Sequence, residues 1–332
     1  MKLYQKIIII SLILFVFITA YIMFLFFLPK QVNEVLVEIK KGETALSIAQ
    51  KLSDHRVIRS KNSFYVFIKL TKSDGILSYG KYLFKGKLAL SDVIDTIKSG
   101  KVVLRKVTIP EGLSVRKTCK LLAKEEFGDF QQFLDICNDP QIAKQFTGFS
   151  ISSLEGFLYP ETYHFPEGVS EKYIISHLVK SFFSQTADLN FVPDEILSFY
   201  NVIILASIVE CEARIEKEKP TIASVYLNRL NYHYKLQADP TIAYALEEQD
   251  KTRKKIYYKD LSIDSPYNTY KHYGLPPTPI CNPSVTSIQA VLEPEETDYF
   301  FFFATGTGQH EFTKTYDQHI NQQRIIKKNN GK

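Results

Sequence analysis

The feature that most limits what this chain can fold into is an uncharged apolar stretch near its N-terminus. Residues 7–28 carry no charged side chain, and as a helix rising about 1.5 Å per residue they would be about 33 Å long. That length matches a bilayer hydrocarbon core of about 30 Å. A cleaved signal peptide is the alternative, but its apolar region usually has only about 7–15 residues. The stretch is therefore predicted to be a transmembrane helix.

Basic residues beside this stretch predict its orientation. Lys2 and Lys6 precede it with no acidic residue among them, and the positive-inside tendency places such a segment in the cytoplasm. Residues 1–6 would then be cytoplasmic and everything after Pro29 would lie outside. Lysines at positions 30, 40 and 41 weaken this signal.

Composition excludes two classes of function. The formal net charge of +5 is small and the lysines are scattered, whereas a nucleic-acid-binding protein concentrates its basic residues on one face. The four cysteines have no C-x-x-C spacing and the histidines no H-E-x-x-H pattern, so no metal site is predicted. Whether the cysteines form disulfides is left open.

The segment 33–100 is predicted to be a small βα domain. Residues 35–40 alternate in polarity like a strand, and apolar residues from Ala45 to Leu52 recur with a helical period after a turn at Gly42. The string 37–52 resembles the opening of a LysM module, which implies binding of N-acetylated sugar chains. A spacer between the membrane and the following domain is the alternative.

The remainder, 101–332, is predicted to be a larger α+β domain. Helices are expected at about 114–124, around Glu210, from Pro220, after Asp239-Pro240 and after Asn282-Pro283, with Asp239 and Asn282 as helix N-caps. Residues 299–312 are expected to form a hairpin around a Gly-rich turn. The predicted fold class is thus α+β, with the boundary between the two domains near Gly100.

Glu210 is the predicted catalytic residue. It ends the apolar string 202–209, and a carboxyl group that loses water there acquires a raised pKa, in the range of a general acid. The alternative is that Glu210 only begins the solvated end of the helix, since charged residues follow it. Glu212, two residues later, points to a different face of the helix.

Polar residues in later turns are predicted to bind substrate, because binding residues concentrate in loops on a rigid scaffold. Each also has a structural alternative: a turn former for Gln237 and Asn268, and an exposed turn acid for Glu155. The predicted substrate-binding residues are Glu155, Gln237, Asp239, Asn268 and Tyr270.

Several ordered strings resemble those of the endolytic murein transglycosylase (YceG-like) family. They are 108–112 (TIPEG), 154–156 (LEG), 159–160 (YP), 206–210 (ASIVE), 228–230 (NRL), 236–241 (LQADPT), 267–270 (YNTY) and 274–277 (GLPP). The resemblance places the family's catalytic glutamate on Glu210 and its groove motifs on the five substrate-binding positions.

The resemblance also implies an activity and a location. The expected enzyme is a lyase anchored in the bacterial inner membrane, with its catalytic domain on the outer side, near peptidoglycan synthases. It would cut nascent peptidoglycan between N-acetylmuramic acid and N-acetylglucosamine and leave 1,6-anhydro ends. With one acid, the sugar's own 6-hydroxyl serves as nucleophile, and no cofactor is required. Two alternatives stay open: a muramidase-type hydrolase using Asp239 or Glu155 as second carboxylate, and a non-catalytic peptidoglycan-binding scaffold.

Overall fold

The computed structural model describes residues 3–191, 198–251, 253, 255–306 and 308–330. The chain divides into two compact units. The first unit contains residues up to Lys106 together with His164–Val169, and the second contains Val107–Tyr163 and the residues from Ser170 onward. The predicted domain boundaries stay predictions, but the α+β class is confirmed by helices and small sheets in the described residues.

The first unit begins with α1 (Leu3–Phe27). In the part of the chain that the structure describes, no helix is both long enough and apolar enough to cross a membrane. The predicted transmembrane helix at 7–28 is therefore not confirmed. Some of its side chains, those of Ile7, Ile22, Met23 and Leu25, lie outside the described part of the structure.

A two-stranded antiparallel sheet and three helices complete the first unit. The strands are β1 (Lys30–Ile39) and β2 (Gly80–Leu88), and the helices are α2 (Ala45–Asp54), α3 (Lys61–Leu70) and α4 (Leu90–Lys98). Alternate β1 residues such as Val37 and Ile39 are buried against apolar residues of the helices, including Leu52 and Phe64. The predicted strand and helix around Gly42 are confirmed. The LysM-like identity of this unit stays a prediction.

The second unit is mainly helical. Its helices are α5 (Val115–Lys124), α6 (Phe130–Cys137), α7 (Pro140–Thr147), α8 (Glu171–Gln185), α9 (Phe199–Glu212), α10 (Lys219–Asn231), α11 (Asp239–Glu248), α12 (Val285–Leu292) and α13 (Tyr316–Asn330). Its strands β5 (Phe301–Ala304) and β6 (His310–Thr313) pair with each other. The strands β3 (Leu104–Thr108) and β4 (Thr162–Pro166) also pair, and each has residues in both units. The register Phe301 to Thr313 confirms the predicted hairpin.

Helix α9 is the centre of the second unit. Ser198 begins it as an N-cap that accepts a hydrogen bond from the Asn201 N–H, and residues 202–209 are buried without exception. Helices α10, α11 and α12 pack around it. A helix that is apolar on all sides must be enclosed by others, so the first polar residues after 209 mark the place where α9 reaches the surface of this core.

Two predicted helix caps are wrong. Asp239 is the first residue of α11 and its side chain makes no cap bond, because its carboxylate accepts from the Tyr270 hydroxyl at 2.7 Å instead. Asn282 does not cap α12 either, since Ser284 has that role. The Asn282 amide instead accepts from the Leu158 N–H at 2.9 Å. In both cases the side chain bonds to a residue distant in sequence, and it therefore does not cap the backbone of its own helix.

Candidate active site

An open pocket of about 760 Å³ lies in the second unit, beside the C-terminal end of α9. Three of the predicted site residues line it: Gln237, Asp239 and Tyr270. Glu210 is not among the lining residues, whereas Glu212 is. The other lining residues include Gly112, Lys117, Cys211, Arg214, Tyr226, Arg229, Tyr244, Glu247, Phe302, Phe303, His310 and His319.

Glu212 has the environment of a general acid. It is the last residue of α9, its side chain is half-buried, and Oε1 accepts a hydrogen bond from the Tyr226 hydroxyl at 2.8 Å. Burial raises the pKa of this carboxyl to about 7, although the Tyr226 hydrogen bond opposes the rise; the charge of Asp239 raises it further and that of Arg229 lowers it. Near neutral pH Glu212 can therefore both give and take a proton.

Helix α10 supplies two of the groups around Glu212. Tyr226 and Arg229 are three residues apart and so lie on one face of that helix. The Arg229 guanidinium is fixed from behind, because Nε donates to the Phe300 carbonyl at 2.7 Å and Nη1 donates to the Leu236 carbonyl. With both carbonyls holding it, Arg229 adds positive charge near Glu212 from a fixed place.

The loops before α11 and after residue 264 position the remaining predicted residues. Gln237 has a left-handed backbone (φ 49°), and its N–H donates to the Thr269 carbonyl at 3.1 Å. Asn268 is fully buried: its amide donates to two carbonyls and accepts from the Tyr270 N–H at 3.0 Å. Asn268 therefore shapes the turn that presents Tyr270, and it does not line the pocket.

Glu210 lies in a different place from Glu212. Its side chain is 8% exposed, and all its recorded contacts with the described residues end on Oε2. Donors are the Ser284 N–H at 2.9 Å, the Ser284 and Ser287 hydroxyls at 2.5 and 2.7 Å, and Lys219 Nζ at 3.4 Å. A carboxylate at a helix N-terminus is favourable, so Glu210 ties α9 to the first turn of α12.

Glu155 is neither an exposed turn acid nor part of the pocket lining. It is 3% exposed, and it accepts from the Val115 N–H at 2.9 Å and from the Tyr244 hydroxyl at 3.1 Å. Burial raises the pKa of Glu155 to about 8, against the effect of those two hydrogen bonds. Glu155 lines a smaller cavity of about 270 Å³ that also includes Tyr244 and Tyr267.

The residues missing from the predicted site are Glu212, Tyr226 and Arg229. Glu212 is absent from it because residues two apart on a helix point to different faces. That geometry holds, but the pocket lies on the face of Glu212. The apolar string before Glu210 does not indicate which face of the helix borders a pocket, since every residue of 202–209 is buried.

The four cysteines are all reduced, and three are buried. Cys211 is the exposed one and lines the pocket, between the two glutamates. Its Sγ lies 3.1 Å from the Sγ of the buried Cys281. Among the described residues, no group of three or more His, Cys, Asp or Glu is arranged to hold a metal ion.

Comparisons with known proteins identify relatives over most of the chain. The endolytic murein transglycosylase of Bacillus subtilis is 32% identical over 302 residues, which cover 86% of this chain and 82% of that protein. The enzyme of the same name from Streptococcus pneumoniae is 25% identical over 333 residues, and the match covers 58% of its length. A YceG-like protein of Listeria monocytogenes has a solved structure that is similar, with a TM-score of 0.59 at 33% identity, over 87% of this chain and 98% of that one. The model of the YceG-like family matches residues 37–325, and the chain therefore belongs to that family.

Proposed function

We propose that this chain is a lytic transglycosylase that cleaves peptidoglycan glycan strands, with Glu212 as its general acid and base. The observation that carries the proposal is the half-buried Glu212 carboxyl, whose pKa is raised to about 7 in an open pocket. Such a combination of burial, a charged partner and a pocket is a mark of catalytic groups. Two of the similar proteins are named endolytic murein transglycosylases, which supports the choice of substrate.

The reaction needs only one carboxyl group. Protonated Glu212 gives its proton to the oxygen of the bond between N-acetylmuramic acid and N-acetylglucosamine, and the bond from that oxygen to C1 breaks. The 6-hydroxyl of the same muramic acid then bonds to C1 and loses its proton to the Glu212 carboxylate. The product is a 1,6-anhydro end, the acid is regenerated, and no water is consumed. An internal nucleophile gains from proximity.

Hydrolysis by a muramidase-type route is the second candidate, and one observation favours it. Asp239 lines the same pocket, and its charge acts on Glu212, so a second carboxylate is available to activate water or to act as nucleophile. Glu155 is not suited to that role, because it lies outside the lining of this pocket. Hydrolysis would leave reducing ends in place of 1,6-anhydro ends.

Mass spectrometry of peptidoglycan sacculi digested by the full-length chain tests the proposal. We expect 1,6-anhydro ends from the parent chain, and a rate about 10²–10⁴-fold lower for Glu212→Gln, because an amide cannot donate and reclaim a proton. Glu210→Gln is the matched control, two residues away on the same helix and outside the pocket lining. It should keep most of the activity, since the change preserves shape and acceptor capacity.

Three results would change the assignment. A folded, inactive Glu210→Gln variant beside an active Glu212→Gln variant would return the acid role to Glu210. Reducing ends would make the chain a hydrolase. Binding to sacculi without cleavage by the parent chain would favour the peptidoglycan-binding scaffold.

We also propose that residues 7–28 anchor the chain in the inner membrane, with everything after them on the outer side, where nascent strands and their synthases are found. The support is the uncharged sequence and the preceding Lys2 and Lys6. A reporter that works only outside the cytoplasm should be active when fused after Lys332. Activity of a cytoplasm-only reporter at that position would reverse the orientation.

The first unit is proposed to contribute affinity for glycan strands through its LysM-like segment at 33–100. Removal of residues 35–98 should weaken sedimentation of the chain with sacculi and leave anhydro products detectable. Loss of all cleavage by a variant whose circular dichroism still shows a folded second unit would contradict this division of roles.

A further inference from the structure

Tyr226 is the direct hydrogen-bonding partner of Glu212. Its ring is 1% exposed, and its hydroxyl lies 2.8 Å from Glu212 Oε1. Glu212 Oε1 is the only acceptor recorded for this hydroxyl among the described residues. Burial raises the pKa of Tyr226 well above its usual range, so the phenol keeps its proton wherever the carboxyl of Glu212 titrates.

This geometry determines which oxygen of Glu212 can carry a proton. A buried hydroxyl that is left without an acceptor costs about 1–3 kcal/mol. If the acid proton were on Oε1, Tyr226 would have to donate to the hydroxyl oxygen of the acid, which is a much weaker acceptor than its carbonyl oxygen. With the acid proton on Oε2, the hydroxyl of Tyr226 donates to Oε1 in both protonation states of Glu212.

The ring of Tyr226 is held in place by its neighbours. Phe302 packs edge-on against it with the ring centres 5.8 Å apart, and the Arg229 guanidinium lies 5.9 Å from the ring centre. Both contacts come from residues that line the pocket. The hydroxyl is therefore preorganised towards Glu212, which is what an effective supporting residue requires.

We propose that Tyr226 is a positioning residue for the reaction: by donating to Glu212 Oε1 it keeps the catalytic proton on Oε2. The proposal rests on the proposed function of Glu212 as general acid and base. It predicts that Glu212 exchanges its proton with the substrate through Oε2 in both steps. Tyr226 itself neither gives nor takes a proton.

The charged groups around Glu212 allow the direction of a pH effect to be derived. On α10, Tyr226 and Arg229 lower the pKa of Glu212, whereas Asp239 on α11 raises it. Tyr270, from the loop that follows residue 264, donates to Asp239 and also faces Glu212. Removing only the Tyr226 hydroxyl removes a lowering effect, so the pKa of Glu212 should rise.

The test is the pH dependence of kcat/KM for the full-length chain on peptidoglycan, measured from about pH 5 to about pH 9, a range that includes the acid's alkaline limb. In Tyr226→Phe this limb should move upward by about one pH unit, the size expected for a hydrogen bond to a charged group. The maximal kcat should fall about tenfold with little change in KM, because the loss affects proton transfer rather than binding.

A second substitution keeps the proposal testable even if Tyr226→Phe folds poorly. Incorporation of 3-fluorotyrosine at position 226 preserves the ring and makes the hydroxyl a stronger donor, so the alkaline limb should move to lower pH. Tyr163→Phe is the matched control, since it also removes a buried hydroxyl, which donates to the Tyr159 carbonyl at 2.8 Å away from the pocket lining. The alkaline limb of the pH profile of Tyr163→Phe should not move.

The outcomes separate the two proposals. An unmoved limb in both Tyr226 variants, with Glu212→Gln inactive, would overturn the positioning role and leave Glu212 as the acid. A Glu212→Gln variant that still forms anhydro ends at the parent rate would overturn the proposed function itself, whatever Tyr226 does. Opposite shifts in the two Tyr226 variants would support the positioning role.

Discussion

Replacement of Glu155 by glutamine should remove a large pH dependence from the stability of this chain. The pKa of Glu155 is raised from 4.5 to about 8 by burial, so between these values the folded chain holds a proton that the unfolded chain has lost. Stability falls with rising pH wherever the folded state binds more protons. The part of the unfolding free energy that depends on this proton is fully present below about pH 4.5 and is lost by about pH 8.

The size of this pH effect on stability follows from the difference between the two pKa values of Glu155. Each pH unit corresponds to about 1.4 kcal/mol, so the change from 4.5 to about 8 corresponds to about 5 kcal/mol of unfolding free energy. Glutamine is close to protonated Glu155 in size and shape, and its oxygen can accept from the Val115 N–H. Any change in the Tyr244 hydrogen bond is the same at every pH between these values and does not alter the slope. The variant stays neutral at every pH.

Urea unfolding of the parent chain and of Glu155→Gln at a series of pH values provides the measurement. The difference between the two curves isolates Glu155, because the other titrating groups are common to both chains. The free energy of unfolding of Glu155→Gln should rise steadily relative to that of the parent chain from about pH 5 to about pH 8. Glu161→Gln, at an exposed glutamate of the same unit, should show no such gain. Parallel curves for parent and Glu155→Gln would refute the reasoning.

Two further predictions concern packing and charge in the second unit. Gly156→Ala should lower the free energy of unfolding by several kcal/mol in urea titrations, because φ is +89° and a Cβ would lie 2.6 Å from Pro279 Cγ. Gly148→Ala, with φ +79° and open space around it, should cost only about 1 kcal/mol. Lys219→Met should cost about 3–5 kcal/mol because it leaves the Glu210 carboxylate buried without its cation. Adding Glu210→Gln should recover part of that loss in a double-mutant cycle.

Local pattern was sufficient to predict much of the fold. The strand and helix around Gly42, the β5–β6 hairpin and the helix that ends near Glu210 depend on hydrophobic period and turn residues, which are visible in a few consecutive positions. The failed caps show the limit of this approach. Asp239 and Asn282 have cap chemistry, but partners distant in sequence bind their side chains.

The choice between Glu210 and Glu212 required the tertiary structure. Both follow the same buried string, and a helix buried on all sides has no amphipathic face to show where a pocket opens. Contacts far along the chain make the distinction: Ser284 and Ser287 enclose Glu210, whereas Tyr226 presents its hydroxyl to Glu212. Glu155 is similar, since its burial depends on Tyr244, 89 residues away.

Cys211 is a natural site for chemical labelling in the pocket beside α9. It is exposed while Cys119, Cys137 and Cys281 are buried, so a maleimide should modify Cys211 first. Because this thiol lines the pocket next to Glu212, a glycan strand bound there should slow the modification. The alkylation rate would then measure occupancy of the pocket without turnover, even in the inactive Glu212→Gln variant. Titration with glycan would give the affinity of the chain for the strand.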